Sequence, residues 1–131
     1  MDNFTKNDFY NEISDIKIND CELVRFESFD NLINSWVGIA RGADDIVDLS
    51  LLTDDELNRL EELSKKLHNP EIPNNTDVKF YFTSEGFTTF KEIVYLWIKS
   101  NVLDRFRTVI ISKPNRVYYE DKYQVALQQS R

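Results

Sequence analysis

One cysteine, Cys21, and one histidine, His68, leave no way to close a disulfide framework or a zinc site of thiolates and imidazoles. The three glycines, at 38, 42 and 86, share no spacing that builds a phosphate-binding loop, which excludes Walker, Rossmann and kinase-type nucleotide sites. Glycine and proline, three of each, are too scarce for a disordered chain. The longest apolar run, 93–98, falls far short of the roughly 20 residues that span a bilayer, and the first residues lack the basic and apolar regions of a secretory signal. The expectation is a cytoplasmic chain without membrane contact, in which Cys21 is a small half-buried hydrophobe rather than a nucleophile.

What is present is a folded composition: 41% hydrophobic residues, with nine Phe, six Tyr and two Trp in 131 residues. That length suits a single compact domain, 1–131, burying roughly two thirds of its unfolded surface. Charge is unevenly shared. Residues 1–77 hold 18 acids against 7 bases, whereas residues 78–131 hold 5 against 9. The first half therefore repels phosphate backbones and attracts basic surfaces, which argues against direct nucleic-acid binding.

The periodicity predicts a first helix over 6–15, with Thr5 as cap and Phe4 and Phe9 as a hydrophobic staple. A strand follows over 21–27, with Lys17 a candidate to pair across a short hairpin. Ser28 then reads as an N-cap, because Phe29, Leu32, Ile33, Trp36, Val37 and Ala40 fall at helical spacing up to Gly42. Thr53 and Glu56 form a capping box ahead of an apolar edge of Leu57, Leu60, Leu63 and Leu67. The breaker cluster 68–76 marks a loop and a place where the chain could subdivide, into an acidic helical part, 1–67, and a core, 77–131. His68 there suits a helix C-terminus.

The stretch 78–127 reads as a β-α-β-β block. Val78, Phe80 and Phe82 alternate with Lys79, Tyr81 and Thr83. Thr89 and Glu92 suggest the cap of an apolar central helix over 89–103. Residues 107–112 look like an interior strand, Pro114-Asn115 like a type I turn, and 117–127 like one long strand. The fold class expected is α+β, a mainly antiparallel sheet with about three to four helices packed on it.

Carboxylates are the only abundant chemistry. Asp44, Asp45, Asp48, Asp54, Asp55, Glu56, Glu61 and Glu62 stand against a single base, Arg59, within 44–62. These eight are the candidate partner-binding residues. Asp44, Asp45 and Asp48 lack the alternation and the glycine of an EF-hand loop, so no metal and no cofactor is expected. Glu120 and Lys122 form an acid-x-Lys triplet that resembles the PD-(D/E)xK nucleases, which implies a divalent ion beside an attacked phosphate. The chain departs from that pattern at Pro114-Asn115, where the family carries an aspartate. Tyr118, Tyr119 and Tyr123 with Arg105, Arg107, Lys113, Arg116 and Lys122 invite comparison with a single-strand binding surface.

The function expected is that of a small acidic protein-binding protein rather than an enzyme. It would be a stoichiometric inhibitor of the immunity-protein, antitoxin or phage anti-defence type, masking a basic partner such as a nuclease or another nucleic-acid-binding enzyme. The alternatives are a small metal-dependent nuclease and a structural subunit of a larger assembly.

Overall fold

The computed structural model describes residues 6–39, 47–67, 70–73 and 76–129. Over these residues it is an α+β fold, with one antiparallel sheet of six strands and three α-helices. In chain order these are α1 (Lys6–Asp15), β1 (Glu22–Asp30), β2 (Ser35–Gly38), a 3₁₀ turn (Leu49–Leu51), α2 (Asp54–Lys66), β3 (Val78–Phe82), α3 (Ser84–Ser100), β4 (Phe106–Ser112), β5 (Tyr119–Glu120) and β6 (Gln124–Gln128). No described helix is long and apolar enough to cross a membrane.

The helix anticipated after Ser28 is not formed. β1 continues through Ser28 to Asp30, and residues 31–34 turn it into β2, with Phe29 paired to Trp36 and Asp30 to Ser35. The turn has its own chemistry. Asp30 Oδ1 accepts from the Leu32 amide at 3.0 Å, and Asn34 takes a φ of 51°, a conformation asparagine tolerates better than most residues. Leu32, in the supposed apolar stripe, is 93% exposed at the tip. The described residues thus hold three α-helices, within the three to four expected.

β1 organises the sheet. The Phe29 amide donates to Arg105 O and the Ile39 amide donates to Phe26 O, so odd residues of β1 turn their backbone toward β4 and even residues turn theirs toward β2. β4 lies along one edge of β1 over Glu22–Ser28. β2 takes the other edge at Glu27–Asp30, and β3 takes the same edge at Val24 through Phe82. β3 continues the sheet to β6, and β6 to β5.

The expected C-terminal β-α-β-β block is corrected by this topology. Among the described residues β4 pairs only with β1, which makes it an edge strand rather than an interior one, and Ile110 on it is 45% exposed. The run 117–127 is not a single strand. Asp121 Oδ1 accepts from the Tyr123 and Gln124 amides, both at 2.8 Å, and folds the run into the β5–β6 hairpin. Because β4 and β5 lie on opposite edges, residues 113–118 do not make a tight turn; they cross the sheet. Val117 of that segment packs against Leu23, Tyr81 and Val125.

All three helices cover one face. Phe9 and Ile13 of α1, Leu63 of α2 and Phe87, Phe90, Ile93, Val94 and Ile98 of α3 meet Val24, Phe26, Phe82 and Phe106 in one cluster. Residues on both sides of 68–76 thus share a core. No described helix lies on the opposite face, which carries Leu23, Tyr81 and Val125 at one end.

α3 starts five residues earlier than its second capping motif suggests. Thr83 is its cap, accepting from the Gly86 amide at 2.9 Å, and Phe90 (φ −109°, ψ 18°) kinks the helix just after Thr89. A side chain at Gly86 would place Cβ 1.9 Å from the Tyr123 carbonyl oxygen, so the first turn of α3 rests directly on the β5–β6 turn. Alanine in a helix is ordinarily better than glycine by about 1 kcal/mol, but overpacking against backbone costs about 1–3 kcal/mol. The clash is severe enough that the second effect wins. Gly86→Ala is expected to lower the urea midpoint by a net destabilisation of about 2 kcal/mol, and a variant as stable as the parent would contradict this packing.

Candidate functional site

The acidic segment, singled out by composition, is built on the 3₁₀ turn and α2. Asp44 and Asp45 lie outside the described residues. Asp48 caps the 3₁₀ turn, its Oδ1 accepting from Ser50 Oγ at 2.6 Å and from the Ser50 amide at 3.0 Å, bonds that hold its carboxyl below the usual range. Glu56 closes the capping box on the Thr53 amide at 2.8 Å and receives Lys99 Nζ on both oxygens at 2.8 Å. The Lys99 bond first, and the Thr53 amide second, lower its pKa. Glu61 pairs with Lys65 at 3.4 Å, and Glu62 with Arg59 at 2.9 Å and Lys66 at 3.9 Å. Asp54 and Asp55, both exposed in the first turn of α2, have no ion pair among the described residues.

The structure therefore divides the eight. Asp48 and Glu56 are occupied in caps. Glu61 and Glu62 are in exposed helical pairs of a kind worth about 0–1 kcal/mol, which a partner can replace at little cost. Asp54 and Asp55 follow closely in sequence on Leu49 and Leu51, apolar side chains left 48% and 45% exposed on the 3₁₀ turn.

A second site was not anticipated. On the helix-free face, Glu27 is only 1% exposed and sits among cations. Its Oε2 accepts Arg25 Nε at 2.7 Å, and its Oε1 accepts Arg107 Nε at 2.7 Å and Nη2 at 2.6 Å. Lys79 Nζ lies 4.0 Å from Oε2. Two aromatic rings roof the cluster. Arg107 Cζ lies 4.3 Å over the Trp36 ring, Arg105 Cζ 4.5 Å over Phe29, and Phe29 meets Trp36 edge-on at 5.3 Å.

Register explains why this cluster assembles. Glu27 faces Arg107 on β4 and Gly38 on β2. The missing side chain at Gly38 makes room for the Arg25 guanidinium, whose Nη2 lies 3.1 Å from where a Cβ would be, and whose Nη1 donates to Phe80 O at 3.2 Å. Burial alone would raise the Glu27 pKa; the hydrogen bonds and charges of Arg25 and Arg107 outweigh it, so the carboxyl is held below its ordinary value of 4.5. Beside the cluster a cavity of about 700 Å³ opens between β2 and β3, lined by Arg25, Trp36, Gly38, Phe80 and Trp97 among others. That volume lies in the range of small-ligand sites, roughly 300–1,000 Å³.

The nuclease-like triplet is dispersed. Glu120 pairs with Lys113 of the crossing segment, and Lys122 pairs with Glu85 of α3 at 3.0 Å. Among the described residues no three His, Cys, Asp or Glu side chains gather to hold a metal ion. The tyrosines and bases compared with a single-strand platform are also separated. Tyr123 packs edge-on against Phe90 in the core at 5.1 Å, Tyr119 donates to Asp121 at 2.6 Å, and Arg105 and Arg107 lie beside Trp36. The Asp121 hydrogen bond, then burial, pushes the Tyr119 phenol up to about 12.

Comparison with family models, with curated proteins and with solved structures finds no match to this chain.

Glu27→Gln removes the only carboxylate between two guanidinium groups and is expected to destabilise the fold by about 3 kcal/mol. The depressed folded pKa fixes the sign of the pH effect. The carboxylate's contribution is full above the unfolded value and is lost as pH falls through that value toward the folded one. Urea unfolding from pH 7 down to pH 3 is therefore expected to show a shallower acid limb in Glu27→Gln than in the parent. Parallel pH profiles would mean that Glu27 is not held as a charged partner.

Proposed function

We propose that the chain is a protein-binding protein that presents the surface of the 3₁₀ turn and α2 to a basic partner, acting as a stoichiometric inhibitor. The observation that carries this reading is the composition of one patch. Leu49 and Leu51 are exposed on the 3₁₀ turn, and Asp54 and Asp55, a few residues on in the first turn of α2, have no ion pair among the described residues. Apolar side chains surrounded by charge are the anatomy of a protein interface, in which the apolar centre supplies affinity and the charged rim steers approach. Asp48, Glu61 and Glu62 extend the rim, and Asp44 and Asp45 precede it in sequence.

A nuclease or another nucleic-acid-binding enzyme is the class of partner that suits such a surface. Carboxylates placed where phosphates would lie compete for the same cationic groups while offering no scissile bond. The inhibitor reading accounts for the excess of acid in this half of the chain and for a helix, α2, that buries only Leu63 fully.

The test begins with a stoichiometric partner recovered from the native host at low salt and purified. Combined reversal of Asp54, Asp55, Glu61 and Glu62 to Lys is expected to lower its association rate about tenfold or more and to flatten its salt dependence. Leu51→Ser is expected to act on the other rate, raising dissociation. Association and dissociation unchanged in both variants would remove this surface from the interface.

A further inference from the structure

The sheet separates charge between its two sides. On the covered face, α1 carries Asp8, Glu12 and Asp15 against Lys6, and α2 carries five acids against three bases. The helix-free face has the opposite character at its β2 end. Glu27 faces Arg107 in register, and in the next row the Phe29 amide donates to Arg105 O while Phe29 pairs with Trp36. Arg25 stands two residues before Glu27 on the same side of β1, and Lys79 approaches from β3. Four cations thus share two rings and a single buried carboxylate, which balances only one of them. Arg105 is the least engaged. It is exposed, and its guanidinium makes no ion pair or hydrogen bond among the described residues, yet its Cζ is held 4.5 Å over Phe29 and 5.6 Å over Trp36. The rings order this charge without neutralising it. Arg107 follows two residues later, about 7 Å along the chain; it uses Nε and Nη2 on Glu27 and has Nη1 to offer.

We propose that this patch binds single-stranded nucleic acid, with phosphates on Arg105, Arg107 and Lys79 and a base stacked on the Arg105 guanidinium, on the side away from Phe29. Two properties of the patch select that ligand. The N–H edges of a guanidinium match the oxygens of a phosphate, and its plane, like an aromatic ring, accepts a base. An acidic peptide would use the edges and leave the planes bare. The side chains lie on a sheet face that no described helix covers, so a linear strand can pass across them. The acids of α1 and α2, which repel phosphate, lie on the other side of the sheet. This surface is separate from the acidic patch on α2, and the proposal does not depend on that patch.

The experiment follows the anisotropy of a dye-labelled oligothymidylate of about 10 nucleotides as the full chain is added at low salt. Saturable binding is expected, with log K falling linearly against the logarithm of salt concentration. Arg105→Gln should weaken binding about tenfold. It should also reduce the salt slope by about 0.7, the share of one phosphate on a single strand. Arg105→Lys should keep the slope while losing affinity, because the charge stays and the stacking plane goes. Lys65→Gln combined with Lys66→Gln, at the end of α2, should change neither quantity. Thermal midpoints equal to the parent's show that each variant is folded; if Arg105→Gln melts early, Lys79→Gln is read in its place, with the same loss of slope expected. No saturable binding, an unchanged affinity and slope in Arg105→Gln, an equal loss in the α2 variant, or equal competition by a polyglutamate peptide would each overturn the proposal.

Discussion

A strand has two edges, and β1 has three partners. Everything distinctive in this sheet follows from how that conflict is met. β4 takes one edge along nearly the whole strand, so β2 and β3 are left to divide the other, β2 along Glu27–Asp30 and β3 at Val24. Where they part, ordinary ladder bonding stops, and a side chain takes over: Arg25 bonds to Phe80 O across the gap and to Glu27 behind it. The slot and the ion cluster are two aspects of one shortage of strand edge.

The ion cluster is a poor candidate for net stabilisation, because removing a carboxylate from water costs several kcal/mol before any pairing is counted. Its value lies in register. Slipping β4 by one residue against β1 would turn Arg107 to the helix side and leave Glu27 buried with only Arg25 beside it. A shift of that kind is penalised both by the stranded charge and by the reversal of every apolar position. The cation–aromatic contacts of Arg105 and Arg107 with Phe29 and Trp36 tie β2 into the same alignment. Asn101 plays a related part on the helix side. Fully buried at the end of α3, it donates to Ser28 Oγ at 3.2 Å and Ile39 O at 3.3 Å, and its carbonyl receives Lys6 Nζ at 2.6 Å. Burial lowers the pKa of that lysine.

Local signals were legible in the sequence wherever local physics decides. The bounds of α1, the Thr53–Glu56 capping box and the apolar edge of α2 could all be read before the fold was known. The misreadings share one cause, that short-range spacing is ambiguous until a partner is known. Phe29, Leu32, Ile33 and Trp36 match a helical stripe, yet Phe29 and Trp36 are cross-strand neighbours and Leu32 and Ile33 are a turn tip. Residues 107–112 are apolar enough for an interior strand, but only topology decides that β4 lies at an edge. The acidic segment and the capping role of Glu56 were visible in the sequence, whereas the cap made by Asp48 and the ion pairs of Glu61 and Glu62 depend on geometry. The Glu27 cluster had a trace in the sequence, since Arg25 and Glu27 alternate onto one face of a strand. Its other half, Arg107, lies 80 positions away, beyond any local pattern.

That separation also sets how this chain finds its fold. The longest ladder in the sheet, β1 with β4, joins segments separated by α2, β3 and α3. The entropy of closing so large a loop must be met before the pairing returns any energy. Helices α1 and α2 are built from local stripes, but β1 stays without its principal neighbour until α3 has brought β4 back to it. Until β4 arrives, the β1 edge that it will cover is a bare template for any other extended chain, which makes it the place where misassembly would begin.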